Sequence, residues 1–317
     1  MIEVTAKYAQ PEVVSFWRDL GSRGLQAAEA RMLARYAPPP ARVLDLGCGT
    51  GRALLALVPK GYRVIGLDLT WAMVSAARRA ALRAAVPPLL LQGDMTAIPC
   101  PSASFDVVIV LVAALQHIPG RSRRRRAFVQ MARVLRPGGT LILALDNVAP
   151  ALTCYAWWGR QRVLGASERF AVNGNSFATQ AATGADRALQ ARRDQMSAVG
   201  WHARGLARTL RWRTWNGFLG LLRRAGMWPG ERGDTAVGQV SAAPTPGKVY
   251  YHIYEHDELL ADAASGGLEV IGYHSGRELS EGRLFRPRVR QLDKQVLYAF
   301  RRPQTEGGRH DAVSRHN

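Results

Sequence analysis

VLDLGCGTGRALLAL, residues Val43–Leu57, decides how this chain folds. A short apolar run carries an acid, Asp45, then turns through Gly47, Gly49 and Gly51 into a stretch of helical spacing. A strand, a glycine turn and a helix in that order belong to a parallel α/β fold, whose ligands sit at the carboxyl ends of the strands. The dinucleotide fingerprint spaces its glycines G-x-G-x-x-G. Here the third glycine comes one residue early, and Arg52 stands where that fingerprint needs glycine. Asp45 would face a pyrophosphate unfavourably. An acid there suits a ligand that carries an ammonium group.

Outward from this turn the pattern alternates. Strand-like runs at 42–46, 63–67, 89–91, 107–112 and 140–145 are separated by helix-like stretches, notably 70–84 and 122–135. In the second of these, Phe128, Met131, Ala132 and Leu135 share one apolar face. Strands this apolar are covered on both sides, which means a parallel sheet between layers of helices. A helix is expected over 11–36, with Val13, Phe16, Trp17 and Leu20 near a 3–4 spacing, and Pro38-Pro39-Pro40 stops it. The alternation breaks from Asn147 to Gly247, a stretch that holds six of the eight tryptophans, and resumes with a helix at 257–264 and strands at 268–273 and 295–300. The expected organisation is an N-terminal helical segment (1–40), a ligand-binding core (41–146), a mainly helical cap inserted after the fifth strand (147–247), completion of the core sheet (248–302) and a frayed tail (303–317).

Two more acids narrow the ligand. Asp68 ends the second strand, where a carboxylate can accept from both hydroxyls of a ribose. Asp94, in QGDMTAIP, follows the third strand and is placed to accept from an adenine amino group, with the next backbone N–H free for a ring nitrogen. S-adenosylmethionine has an adenosine, an amino group, a sulfonium and no phosphate. VLDLGCGTG, VIGLDLTWAMVSAAR, LQGDMTAIPCPSASFDVVIV and ARVLRPGGTLILAL follow one another in the order and spacing of the class I S-adenosylmethionine-dependent methyltransferases, which residues 41–146 with 248–302 resemble. The resemblance implies a Rossmann-like, doubly wound, seven-stranded sheet with an antiparallel last strand. It implies that Asp45, Gly47, Gly49 and Gly51 line the methionine end, that Asp68 binds ribose with Leu69 beside the adenine, that Asp94 and Met95 meet the adenine edge, and that Leu111 and Val112 border the methionine moiety.

Composition bounds the rest. The opening residues lack the basic-then-apolar profile of a signal peptide, and no apolar run approaches the ~20 residues that span a bilayer. Cys48, Cys100 and Cys154 are scattered and odd in number, so neither a disulfide framework nor a metal site is expected, and a cytoplasmic protein is. The net charge is +19, and 39 of the 43 basic residues are arginine. Most of the excess falls between 101 and 247, which leaves an anionic partner open.

Catalytic candidates are few. His117, in LQHIP just past the fourth strand, is placed to deprotonate an acceptor, although methyl transfer to an acceptor held in line needs no base. Tyr8 is a candidate to close over the ligand. The run RSRRRR, Arg121–Arg126, sits at a helix start behind a candidate cap, Ser122, where its charge opposes the helix dipole and favours an anionic contact. Arginines interleaved with tryptophans in RTLRWRTWNGFLGLLRR suit RNA, an apolar acceptor pocket, an anionic membrane surface or a subdomain burying its own tryptophans. YYHIYEHDEL, Tyr250–Leu259, faintly resembles a stretch of tRNA wobble-uridine methyltransferases. Three functions remain: methyl transfer to an O, N or C atom of a small acceptor under the cap, methylation of tRNA or another RNA, and cofactor binding without catalysis.

Overall fold

The computed structural model describes residues 3–112, 114–146, 249–282 and 295–304 in full, and 234–237 as a backbone strand. Five parallel strands come first: β1 Arg42–Leu46, β2 Arg63–Asp68, β3 Leu90–Gln92, β4 Phe105–Val110 and β5 Leu135–Asp146. Two short strands, β6 Asp234–Val237 and β7 Val249–His252, pair with each other, and β8 Glu269–Ser275 and β9 Gln295–Arg301 complete the main sheet. Its order is β3-β2-β1-β4-β5-β9-β8, with β9 antiparallel to both neighbours. This is the expected seven-stranded Rossmann-like sheet with its antiparallel last strand.

The helices are α1 Val4–Tyr8, α2 Pro11–Gly21, α3 Ala27–Tyr36, α4 Arg52–Leu57, α5 Trp71–Arg83, α6 Arg121–Val134, α7 His256–Ser265 and α8 Gly276–Ser280. Alternate strand residues face opposite layers. Leu44, Val108, Val110, Leu141 and Phe300 pack with Phe128 and Met131 of α6 and Leu259 of α7. Val43, Val107, Ile109, Ile142 and Leu297 pack with Met32 and Leu33 of α3 and Leu54 of α4. Every one of these side chains is essentially fully buried, so the sheet is covered on both faces.

One expected element is corrected. The helix read over 11–36 is two helices, broken between Gly21 and Gln26, where Gly24 turns through a left-handed φ of 71°. A capping box starts the second: the Glu29 carboxylate accepts from the Gln26 N–H at 2.8 Å. The hydrophobic spacing runs through the break, which is why periodicity alone missed it. The other elements fall within two residues of expectation at most ends, except that β5 starts at Leu135 and carries Pro137-Gly138-Gly139 inside it.

The segment expected as a cap, with its tryptophans and RTLRWRTWNGFLGLLRR, lies outside the described residues apart from β6. That strand falls within the stretch expected to be a mainly helical cap and pairs Asp234–Val237 against β7. The tail from 305 lies outside as well. Among the described residues no helix is long and apolar enough to cross a membrane.

Candidate active site

Strand order reverses between β1 and β4, and a crevice at the carboxyl ends of those strands is where an open α/β sheet takes its ligand. A cavity of about 570 Å³ opens there, a size that suits a cofactor-sized molecule. Nine of the ten residues expected at the cofactor line it: Asp45, Gly47, Gly49, Asp68, Leu69, Asp94, Met95, Leu111 and Val112. Gly51 does not. It caps α4 with φ 88°, and a Cβ there would lie 3.2 Å from the Ala77 Cβ, so its glycine serves the turn and the packing of α5. Gly47 has both reasons to be glycine: φ is 72°, and an added Cβ would meet the Ala114 Cβ at 2.4 Å.

Asp45 is 3% exposed, and among the described residues no hydrogen bond reaches its carboxylate. Burial pushes the carboxyl up to about 7, opposed by the charge of Arg52 and reinforced by Asp68 and Glu29. A buried acid short of donors on a cavity wall fits a ligand ammonium. Arg52 cannot answer it directly, because Glu29 grips the guanidinium with both oxygens, one at 2.8 Å. That Arg52–Glu29 clamp escaped the sequence reading. An arginine at the first position of a helix, against the dipole, was the signal for it.

Asp68 is prepared differently. Its Oδ2 accepts from the Gly49 N–H at 2.8 Å and its Oδ1 from the Thr70 N–H at 2.9 Å. Burial raises this carboxyl while those two donors hold it down. Each oxygen keeps a lone pair for a further donor, as a ribose diol requires. Asp94 accepts from the Thr96 N–H at 2.8 Å through Oδ1 and pairs with Arg123 at 3.1 Å through Oδ2. The cavity therefore offers charge to an ammonium, paired acceptors to a diol and a polar edge to a base. These residues fit S-adenosylmethionine.

Tyr8, Trp17, His117, Ile118 and Tyr250 line the same cavity. The His117 Nδ1 lies 3.0 Å from the backbone carbonyl of Tyr250, which can only accept, so Nδ1 carries the proton and Nε2 a lone pair. The Tyr8 hydroxyl, 2.8 Å from Nε2, therefore donates to it. Burial pushes the His117 imidazolium down, keeping the ring neutral, with the Tyr250 carbonyl opposing. Burial and the charges of Asp68 and Asp146 push the Tyr8 phenol far above its ordinary range. Beside them Gln116, fully buried, donates to the carbonyls of Asp146 and His252 and accepts from the Asp146 N–H and, at 3.0 Å, the Tyr251 hydroxyl.

The arginine run is corrected. Helix α6 is capped by Gly120, not Ser122; Arg124 turns inward, while Arg121, Arg123, Arg125 and Arg126 stay partly or fully exposed. The Nε atoms of Arg121 and Arg125 both reach the buried Asp262 Oδ1 at 2.8 Å. Arg124 is fully buried, donating to Tyr250 Oη at 3.0 Å and pairing with Glu258 at 3.4 Å. With Arg123 on Asp94, four of the five arginines answer carboxylates of this chain, and they no longer point to an anionic partner. Among the described residues no group of His, Cys, Asp or Glu is placed to hold a metal ion.

Residues 43–139 match the family model of the methyltransferase domain. The 27-O-demethylrifamycin SV methyltransferase of Amycolatopsis mediterranei is 38% identical over 144 residues, 43% of this chain and 51% of that protein. A carboxy-S-adenosyl-L-methionine synthase of Hydrogenovibrio crunogenus is 35% identical over 118 residues, 36% of this chain and 45% of that one. The chain thus spans about half the length of the curated relatives it matches. Among solved structures, the CcbJ methyltransferase of Streptomyces caelestis superposes with a TM-score of 0.53 at 17% identity, covering 94% of this chain and 98% of that one, a likeness of fold.

Proposed function

We infer that residues 43–139, which match the methyltransferase-domain family model, form a class I S-adenosylmethionine-dependent methyltransferase domain, and that the protein transfers a methyl group from S-adenosyl-L-methionine to a small organic acceptor. The observation that carries the reading is the cavity at the strand switch point, which Asp45, Asp68 and Asp94 line together with Tyr8 and His117. When bound, the cofactor supplies a methyl group on a sulfonium, an electrophile that needs no activation. Asp45 holds the amino-acid ammonium, and Asp68 the ribose diol. Leu69 flanks the adenine, Asp94 and Met95 meet its edge, and Leu111 and Val112 border the methionine. Gly47 and Gly49 keep side chains out of the way of close approach. The protein's contribution is to exclude water and place the acceptor atom in line. The segment 147–247 is read as the cap over the acceptor.

The test has two stages. Calorimetric titration should give S-adenosylhomocysteine binding and no NAD binding; the reverse would overturn the assignment. Transfer of radiolabelled methyl should then be followed into the small-molecule fraction of a cell extract and into total RNA, at low and high salt. Label in small molecules supports this reading. Salt-sensitive label in RNA would favour an RNA methyltransferase instead, since phosphate contacts weaken steeply with salt. Binding without transfer to either would leave a non-catalytic cofactor-binding protein.

A further inference from the structure

The hydrogen-bond polarity at the acceptor end says which atom meets the acceptor. A lone histidine base needs a free lone pair, and the Nε2 lone pair of His117 already accepts the Tyr8 hydroxyl at 2.8 Å, while Nδ1–H is committed to the Tyr250 carbonyl at 3.0 Å. His117 therefore offers the acceptor nothing directly. The Tyr8 oxygen does: it has donated its one proton, keeps lone pairs, and Tyr8 lines the cavity. Its ring is held edge-on to the His117 imidazole, centroids 5.4 Å apart, and Tyr251 presents a second edge to that imidazole at 5.1 Å.

Charge narrows the acceptor class. A carboxylate acceptor would need a cation, but the two arginines on the cavity, Arg52 and Arg123, are held by Glu29 and Asp94. An aliphatic amine arrives protonated near neutrality, with no lone pair for the methyl carbon, and the carboxylates around it would hold it so: Glu3 on the cavity wall, and Asp68 and Asp146, whose charges reach the Tyr8 phenol. A neutral O–H group meets neither obstacle and can donate to Tyr8.

Resting on the methyltransferase reading, we propose that the acceptor is a neutral hydroxyl compound, that its O–H is bound by the Tyr8 oxygen, and that Tyr8 with His117 behind it forms a proton relay. The acceptor's proton passes to the Tyr8 oxygen as the Tyr8 proton passes to His117 Nε2. The acceptor oxygen keeps the pair from its broken O–H bond and places it on the methyl carbon, whose former pair stays on the departing thioether. Tyr8 ends neutral, as it began, so no phenolate forms. His117 ends as an imidazolium with Nδ1–H still on the Tyr250 carbonyl, and releases its proton to solvent. Tyr8 is the catalytic residue in this scheme, and His117 acts through it.

The experiment uses the full chain saturated with S-adenosylhomocysteine and labelled with 15N at histidine, His117 being assigned by loss of its signals in H117Q. Phenol is the probe, with benzoate and benzylamine as its anionic and cationic counterparts. Phenol should shift the Nε2 resonance of His117 in the wild type, and in Y8F the shift should fall at least fivefold, while benzoate and benzylamine leave the resonance unmoved. Equal shifts in Y8F and wild type would overturn the relay. Equal response to benzoate or benzylamine would overturn the acceptor class, and a phenol that leaves His117 unmoved would overturn both. Calorimetry on the same samples separates the two readings: if S-adenosylhomocysteine does not bind, the cofactor assignment itself falls.

Discussion

Asp45 ties cofactor affinity to pH more tightly than any other group on the cavity. Burial lifts its carboxyl to about 7 in the unliganded protein, some three units above an ordinary aspartate. A ligand ammonium pairs only with the ionised form, so binding below pH 7 must first expel a proton. The ionised fraction falls from about three-quarters at pH 7.5 to about 3% at pH 5.5, given a pKa of about 7. Affinity for S-adenosylhomocysteine should therefore fall about 25-fold across that interval, approaching tenfold per unit at its acid end. At higher pH it should fall again as the ligand's own amino group loses its proton.

Asp45→Asn removes the charge and keeps the shape. At pH 7.5 it should weaken binding by about 10- to 150-fold, the worth of about 1.5–3 kcal/mol for a hydrogen bond to a charged partner. It should also abolish the acid limb, leaving affinity level from pH 5.5 to 7.5. The same substitution has an opposite effect on the empty protein. A carboxyl whose pKa is raised on folding binds its proton more tightly in the native state, so its contribution to stability is lost as pH rises from about 4 to about 7, reaching about 4 kcal/mol. Asp45→Asn should thus stabilise the unliganded protein more at pH 8 than at pH 5. Calorimetry at fixed ionic strength reads the first effect and thermal unfolding at the two pH values the second. A wild-type affinity flat from pH 5.5 to 7.5 would refute the reasoning, because it would mean that Asp45 is ionised throughout or does not touch the ligand.

Asp68→Ala should cost about 2–3 kcal/mol of S-adenosylhomocysteine affinity by calorimetry, since the diol loses a charged acceptor. The Gly49 and Thr70 N–H groups also lose theirs, so some stability should go with it. Glu29→Ala strands the Arg52 guanidinium and uncaps α3, so denaturant unfolding should show a loss of about 3–5 kcal/mol. If methyl transfer runs through Tyr8 and His117, the rate with a hydroxyl acceptor should fall as pH drops through a His117 pKa below 6.5, and Tyr8→Phe should lower kcat more than it raises KM; an acid limb unchanged by H117Q would exclude the histidine. Gly47→Ala combines a left-handed φ with a 2.4 Å clash, and should abolish cofactor binding even in protein that still folds by circular dichroism.

The sheet was readable because its signal is local. Apart from Asp45, Val43–Leu46, Val107–Val110 and Leu141–Leu145 are apolar on both faces, a pattern that a doubly covered parallel sheet explains. The cavity wall was readable for a related reason: Asp45 sits one residue before the end of β1, Asp68 ends β2 and Asp94 follows β3, so their position along the chain fixes their position in space. Gly51 shows the limit of that logic, since a glycine in the right motif can serve a turn and a neighbouring helix instead of a ligand.

What escaped depends on pairs far apart in sequence. RSRRRR has the composition of an exposed basic face, and its reading turned on Glu258 and Asp262, more than a hundred residues later, which lie four residues apart on α7 and pair with Arg121, Arg124 and Arg125 of α6. A buried arginine such as Arg124 costs heavily in desolvation unless a carboxylate meets it, so such a run at a helix start carries two opposite readings until its partners are known. The Tyr8–His117 contact is hidden the same way: 109 residues separate the two, and nothing in either neighbourhood marks the other. Yet both contacts converge on Tyr250, whose carbonyl fixes the His117 tautomer and whose hydroxyl accepts from Arg124. The arginine run that pointed outward, towards a polyanion, is thereby part of what holds the acceptor end of the cavity in register.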